Sequence, residues 1–309
     1  MDQSDYDLAV IGAGPAGLTA GLYGARSGLR TMIIERIMPG GYVATISYIE
    51  NYPGFAEGIK GLDLAERMKT QAKRFGAEII GTEAKAVSGG DGRFMLMTHT
   101  KKYSARSIII ATGTTHRRLG VAGEDNLRGR GVSYCATCDG PLFKNKAIAV
   151  VGCGNSGLQE GRFLLNFAKK IVFIDMLSCI IAEPVLHKPL EKDERARFLL
   201  NHEVKSINGE KNVESITVVD RKSGEEKTIG IDGVFIYAGL IPLSQNFKDL
   251  VQLDAQGFVI TDDRLQTTVP GIFAAGDIRA NTVRQIVTAC GDGAAAALYA
   301  YQYVQTMNH

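Results

Sequence analysis

Basic runs and membrane-length apolar stretches are missing from this chain, and no export leader is expected. No window is rich in lysine and arginine, and the formal net charge is only +2, so electrostatics give no case for nucleic acid. The start, M-D-Q-S-D-Y-D, has no basic n-region and no cleavable apolar stretch, which predicts no export signal. The longest apolar runs, S-I-I-I-A-T and A-I-A-V-V-G, are too short to span a bilayer. These absences together predict a cytoplasmic protein with no membrane partner. Tryptophan is absent, and no segment is of low complexity. The cysteines number five, and only Cys135 and Cys138 are closely spaced, which argues against a structural disulfide framework. Cys153, Cys179 and Cys290 are isolated, and His99, His116, His187 and His202 show no paired spacing. A zinc site needs four ligands, so no metal is expected.

What is present is an ordinary globular composition, 45% hydrophobic and 22% charged. A length of 309 residues suits two domains better than one core. The 36 glycines point to tight turns and close backbone approaches.

An internal repeat organises the chain. Residues 7–35 read as an apolar run, then Gly12-x-Gly14-x-x-Gly17, a helical pattern, and a second apolar run ending in Glu35. This is a βαβ unit with a dinucleotide fingerprint. Gly12 allows the tight turn, Gly14 lets a pyrophosphate approach the backbone, and Gly17 lets the helix pack on the strand. The helix start offers free N–H groups to phosphates, and Glu35 is placed to accept hydrogen bonds from a ribose. Residues 147–175 repeat the pattern with Gly152, Gly154 and Gly157, and Asp175 falls where Glu35 fell. The fold class is therefore α/β, with two Rossmann-like domains built on parallel sheets.

Other stretches fill in the rest. Residues 107–115 read as a buried strand ending in Ala111-Thr112-Gly113. Residues 269–277 read as another, ending in Gly276-Asp277, and residues 284–304 as a long terminal helix. F-M-L-M-T-H-T (94–100) and the run over 214–229 alternate, which predicts short antiparallel strands as extra layers on a parallel sheet.

These motifs resemble the low-molecular-weight thioredoxin reductases. The matching pieces are G-A-G-P-A-G (12–17), G-G-Y…E-N-Y-P-G (40–54), A-T-G (111–113), C-A-T-C-D-G (135–140), G-C-G-N-S-G (152–157), A-A-G-D (274–277) and R-Q-I-V-T-A (284–289). They run from residue 6 to about 304, and C-A-T-C-D is the most specific. The resemblance implies a discontinuous FAD-binding domain (1–117 and 245–309). A second nucleotide-binding-like domain (118–244), carrying a redox disulfide, would be inserted in it. The joins would lie near Thr115–Leu119 and Gly239–Ser244. FAD would be held by Gly12, Gly14, Pro15, Ala16, Gly17, Glu35, Gly40, Gly41, Tyr42, Asn51, Thr112, Gly113, Gly276, Asp277, Arg284, Gln285 and Ile286. The resemblance also implies a homodimer.

A C-x-x-C at a helix start has one thiol with a lowered pKa. By the family analogy Cys138 lies next to the flavin and Cys135 attacks the partner, a thioredoxin or glutaredoxin-like protein. Asp139 is read as proton donor or acceptor for the thiols, or else as the helix N-terminal cap. The other three cysteines are read as packing residues. Serving both flavin and a bulky partner predicts that the inserted domain rotates on its two hinges.

The electron donor is where the resemblance weakens. NADPH-dependent members carry H-R-R and a further arginine after the second strand of the inserted domain. This chain has F-I-D-M-L-S-C-I-I-A-E. An acid there repels a 2′-phosphate and favours a ribose 2′-OH, so NADPH is disfavoured. Gly152, Gly154, Asn155, Ser156, Gly157 and Asp175 then form either an NADH site or a vestigial one. G-T-T-H-R-R-L-G-V-A-G-E and Tyr42 resemble a divergent group in which reduced ferredoxin, or another non-nicotinamide donor, serves instead. That donor is favoured, with NADH the alternative. A flavin reductase without thiol chemistry, an oxidase or a flavin-bound redox sensor are the readings from other classes.

Overall fold

The computed structural model describes residues 5–307. The chain opens with β1 (Tyr6–Ile11), α1 (Pro15–Arg26), β2 (Thr31–Glu35), α2 (Gly61–Arg74), β3 (Glu78–Gly81), β4 (Ala86–Gly90), β5 (Arg93–Met97), β6 (Lys102–Ile110) and β7 (Thr114–His116). It continues with β8 (Val132–Ser133), α3 (Ala136–Asp139), β9 (Ala147–Val151), α4 (Asn155–Leu164), β10 (Lys170–Ile174), α5 (Pro184–Glu191), β11 (Ala196–Leu199), β12 (His202–Asn208), β13 (Ser215–Asp220), β14 (Glu226–Gly230) and β15 (Gly233–Ile236). It closes with β16 (Leu240–Pro242), β17 (Ile272–Ala274) and α6 (Ile286–Thr306). The protein has an α/β fold. Its two compact units are Met1–Ala44 with Tyr48–Thr115 and Ile241–His309, and Thr45–Ser47 with His116–Leu240.

In the first unit the strands run in the order β3-β2-β1-β6-β5-β4, and β17 also pairs with β6. The β3-β2-β1-β6 and β6–β17 pairings are parallel. The C-terminal halves of β1 (8–11) and β6 (108–110) are continuous apolar runs because both faces are covered there. Ile108, Ile109 and Ile110 are fully buried, each worth about 1.5–3 kcal/mol of burial. Helices α1 and α6 approach closely because small residues face each other: a Cβ on Gly293 would lie 2.1 Å from the Ala16 carbonyl oxygen. The 94–100 stretch does not form the separate layer that its alternation predicts. β6 is nine residues long. Its first half takes β5 antiparallel and its second half takes β1 and β17 parallel, so all seven strands share one sheet.

In the second unit β11-β10-β9-β15-β8 form a parallel sheet, and β12-β13-β14 form a separate antiparallel one. Here the alternating 214–229 run does make its own layer. Strands β7 and β16, on the two links between the units, pair with each other. No described helix is long and apolar enough to cross a membrane.

Candidate redox pair and nucleotide loops

The first glycine loop is set by backbone crowding. Gly12 has φ +104, and a Cβ there would sit 2.3 Å from the Ala111 carbonyl oxygen. A Cβ on Gly17 would sit 1.8 Å from the Gly12 carbonyl oxygen. Neither position admits a side chain. Gly14 differs, because nothing lies within 4 Å of where its Cβ would be. That open space, at the N-terminus of α1 with Pro15 as its first residue and Ala16 buried behind, suits a phosphate. Glu35 ends β2. Its Oε2 accepts from the Ala13 N–H at 2.8 Å and its Oε1 from the Ile37 N–H at 3.0 Å.

Gly40, Gly41 and Gly276 come close to this loop, and the other expected flavin-side residues make contacts of their own. The Gly40 N–H donates to the Ala13 carbonyl at 2.7 Å. A Cβ on Gly41 would lie 3.1 Å from the Gly14 Cα. Tyr42 follows, half-buried, in a 3-10 turn over Gly41–Thr45. A Cβ on Gly276 would lie 2.8 Å from that of Ala16, so the end of β17 sits against α1. Asn51 Nδ2 donates to Gln285 Oε1 at 3.2 Å, joining two expected residues that are 234 positions apart. Gln285 immediately precedes Ile286, the first residue of α6. Arg284 lies over the Phe258 ring, 4.4 Å from its centroid. Thr112 and Gly113 lie further along the chain crossing, where Thr112 Oγ1 donates to the Leu243 carbonyl at 2.9 Å and the Leu243 N–H donates to the Gly113 carbonyl at 3.0 Å.

Asp277 stands out electrostatically. Burial pushes its carboxyl up to about 6; Arg284 pulls it down and Asp292 pushes it further up. No described residue donates a hydrogen bond to this carboxylate. A ligand hydroxyl would supply one. The open cradle at Gly14 and the undersupplied acid at Asp277 fit a flavin dinucleotide.

The second loop repeats the first. Gly152 has φ +108 and would place a Cβ 2.3 Å from the Tyr237 carbonyl oxygen; Gly157 would place one 1.9 Å from the Gly152 carbonyl oxygen. Gly154 is again open. Asp175 Oδ2 accepts from the Cys153 N–H at 2.6 Å and Oδ1 from the Leu177 N–H at 2.8 Å, as Glu35 does 140 positions earlier. Asn155 exchanges two hydrogen bonds of 2.8 Å with Glu183, from its side-chain nitrogen to Glu183 Oε1 and from the Glu183 N–H to its oxygen. Ser156 is exposed. Met176 and Leu177 are exposed and carry no charge. One cation that the sequence reading missed reaches this strand end: Arg221 Nη1 donates to the Met176 carbonyl at 3.0 Å. It comes from the β13–β14 turn, 45 positions away, and has no motif to announce it.

Cys135 and Cys138 form a disulfide with their Cα atoms 5.4 Å apart. Cys135 is the N-cap of the short helix α3, and its Sγ accepts from the Cys138 N–H at 3.2 Å. Asp139 closes α3 and holds the N-cap position of the 3-10 turn Gly140–Phe143 that follows, as the capping alternative expects, but its side chain makes no cap hydrogen bond there. Instead Ser133 Oγ donates to Asp139 Oδ2 at 2.6 Å while accepting from the Cys135 N–H at 3.1 Å. Ser133 is buried, and the sequence reading passed over it. Tyr237 was also missed; its hydroxyl accepts from the Ala136 N–H at 3.1 Å. Cys138 is exposed and Cys135 half-buried.

The remaining cysteines divide. Cys153 is fully buried, and burial with the nearby Asp175 charge pushes its thiol up to about 12, which is packing behaviour. Cys290 is half-buried and receives the Tyr52 hydroxyl at 3.7 Å. Cys179 is exposed, which corrects its reading as a packing residue. Among the described residues no group of three or more His, Cys, Asp or Glu could hold a metal ion.

A family model described as pyridine nucleotide-disulphide oxidoreductase matches residues 6–293. A thioredoxin reductase of Listeria innocua is 46% identical over 307 residues, covering 99% of this chain and 96% of the relative. The crystal structure of Lactococcus lactis thioredoxin reductase in its FR conformation matches with a TM-score of 0.95 at 38% identity, over 98% of this chain and 100% of that one. That of T. acidophilum thioredoxin reductase matches with a TM-score of 0.93 at 39% identity, over 99% and 100%.

Proposed function

Because the chain belongs to the thioredoxin reductase family of pyridine nucleotide-disulphide oxidoreductases, and is a disulfide oxidoreductase of that type, we infer that Cys135 and Cys138 are its catalytic pair and that thioredoxin is the protein they reduce. The observation that carries this reading is the disulfide formed at the N-cap of α3. We assign the flavin to residues 1–117 and 245–309, with the first glycine loop, Glu35 and the Gly40–Tyr42 turn around its dinucleotide, and Asp277 on its ribityl chain. Bound FAD would supply a two-electron carrier that can also take electrons singly.

The chain's own residues supply the rest. Opening the Cys135–Cys138 bond to two thiols takes up two electrons and two protons. Cys138, the exposed member, takes the flavin side. The Cys138 N–H aimed at Cys135 Sγ favours a thiolate there. That thiolate attacks one sulfur of the partner disulfide and expels the other. The Cys138 thiolate then attacks Cys135, releases the second partner sulfur and re-forms the bond. Asp139, linked to the Cys135 backbone through Ser133, is the group assigned to move protons to and from the thiols. Meeting flavin and partner in turn requires the unit bearing the cysteines to reorient on its two links. A homodimer in the cytoplasm goes with this reading.

For the donor, the acid Asp175 and the uncharged Met176 and Leu177 at the end of β10 favour a reduced ferredoxin or another non-nicotinamide carrier over NADPH, against the pull of Arg221, held on the Met176 carbonyl. A ferredoxin near about −400 mV lies roughly 130 mV below thioredoxin, a downhill drive of about 6 kcal/mol for two electrons. The second reading is NADH, favoured by Asp175 alone. The deciding experiment is anaerobic: FAD-loaded protein is mixed with each donor, then with oxidised thioredoxin. Thioredoxin thiols should appear in the wild type and vanish in Cys138→Ser. Full thiol production by the serine variant would sink the assignment.

A further inference from the structure

A buried carboxylate lies between a chain link and the redox pair. Glu124 is only 2% exposed. Its Oε1 accepts from the Leu119 N–H at 3.0 Å and its Oε2 from the Gly120 N–H at 2.7 Å. Oε1 also accepts the hydroxyl of Tyr134, the residue before Cys135. Leu119 and Gly120 follow directly on the link: β7 pairs with β16, and the Arg117 N–H extends that ribbon to the Gly239 carbonyl at 2.9 Å. The Tyr134 ring is fixed in turn, 6.0 Å from the His116 ring and with Arg128 Cζ 5.6 Å from its centroid. Hydrogen bonds to a buried charge are the strong kind, and removing one partner strands the others.

We propose that Glu124 is a positioning residue that couples the first chain link to Cys135 through Tyr134. The carboxylate grips the backbone just past the ribbon with both oxygens and the hydroxyl of Tyr134, the residue before the cysteine, with one. A displacement of the link is then delivered to Cys135 without passing through the 121–133 loop. This rests on the reading of Cys135–Cys138 as the catalytic pair and of the links as hinges. It gives a physical role to Glu124, the last residue of the 113–124 segment, which no fingerprint or cysteine argument assigns.

The test uses FAD-loaded enzyme reduced fully with dithionite and mixed anaerobically with oxidised bacterial thioredoxin. The first equivalent of thioredoxin is reduced by the dithiol already present. The second needs electrons to pass from flavin to the re-formed disulfide, and is read as flavin reoxidation. Tyr134→Phe keeps the ring and removes only the hydroxyl; Glu124→Gln keeps the shape and removes the charge. Each should slow the second phase about tenfold, leave the first phase and the KM for thioredoxin unchanged, and combine in the double variant to no more than either alone. Wild-type second-phase rates in both single variants would overturn the proposal, as would slowing that multiplies in the double variant or that is matched in the first phase. Cys138→Ser separates the two ideas: rapid flavin reoxidation by thioredoxin in that variant would defeat the catalytic-pair reading, whatever Glu124 does.

Discussion

Charge at the end of β10 should decide which nucleotide can reduce this enzyme. A 2′-phosphate carries about −1.5 to −2 charge. Placed about 5 Å from the Asp175 carboxylate in an effective dielectric of about 20, each unit charge is repelled by about 3 kcal/mol. The strand end is half-open to water, with Met176 51% and Leu177 40% exposed, so roughly half of that should survive screening. The perturbation is Asp175→Asn with Met176→Arg and Leu177→Arg. The two arginines replace side chains that are 51% and 40% exposed and belong to no core cluster. The amide keeps an oxygen for the Cys153 N–H but faces the Leu177 N–H with its own hydrogens, a local cost of about 1 kcal/mol. Two new charge-assisted bonds contribute about 1.5–3 kcal/mol each. Taking the low end of all terms leaves about 4 kcal/mol, or roughly a thousandfold fall in the NADPH concentration needed. The assay is anaerobic loss of flavin absorbance against donor concentration, with NADPH, NADH and reduced ferredoxin on wild type and triple variant. Wild-type flavin bleaching by NADPH as readily as by the other two would refute the reasoning. So would a triple variant no better with NADPH than the wild type.

Two further outcomes follow from burial and sterics. Burial pushes the Glu160 carboxyl from 4.5 up to about 7, and its Oε2 has no hydrogen-bond partner. The folded state then binds more protons than the unfolded one between those values, so stability falls as pH rises from about 4.5 to about 7. Glu160→Gln should therefore gain about 3 kcal/mol in urea unfolding at pH 8 and nothing at pH 4, and an equal gain at both would contradict the linkage. Gly17→Ala would force a Cβ to 1.8 Å from the Gly12 carbonyl oxygen; it should yield protein that loses FAD on gel filtration, and full retention would show that the loop can relax.

Legibility in the sequence tracked backbone sterics. The loops at Gly12 and Gly152 could be read because a left-handed turn pressed on a neighbouring carbonyl admits only glycine, and the 140-residue offset repeated that constraint. The acids Glu35 and Asp175 could be read because they end the following strand. What escaped depended on contacts between distant residues. Tyr237 meets the Ala136 N–H across 101 positions, and Arg221 reaches Met176 from a separate hairpin. Ser133 sat in plain view beside Cys135, but serine two residues before a cysteine has no distinctive periodicity. Asp139 does sit at an N-cap, that of the 3-10 turn after α3, but its carboxylate takes the Ser133 hydroxyl and no cap N–H. The 94–100 strand was misplaced because alternation shows that one face is buried, not which sheet the edge joins.

The same sterics limit what the second fingerprint says about nucleotide binding. Gly152 and Gly157 are needed by the fold itself, since their missing side chains make room for the Tyr237 and Gly152 carbonyls. They would persist in a loop that had lost its ligand. Gly154 is different: its φ is −79, a value alanine adopts freely, and nothing stands within 4 Å of its Cβ position. A pyrophosphate pressed against the backbone is one reason for glycine there, since a methyl group would hold it off. Gly154→Ala should therefore leave the unfolding midpoint within about 0.5 kcal/mol of wild type, as a substitution into open space does. If a nucleotide uses the loop, the methyl group should raise its KM at least tenfold, about 1.4 kcal/mol. If the donor docks elsewhere, turnover with reduced ferredoxin should be unchanged. Under the ferredoxin reading proposed above the second outcome is the one expected, and a variant in which ferredoxin-driven turnover collapsed while the fold held would refute it.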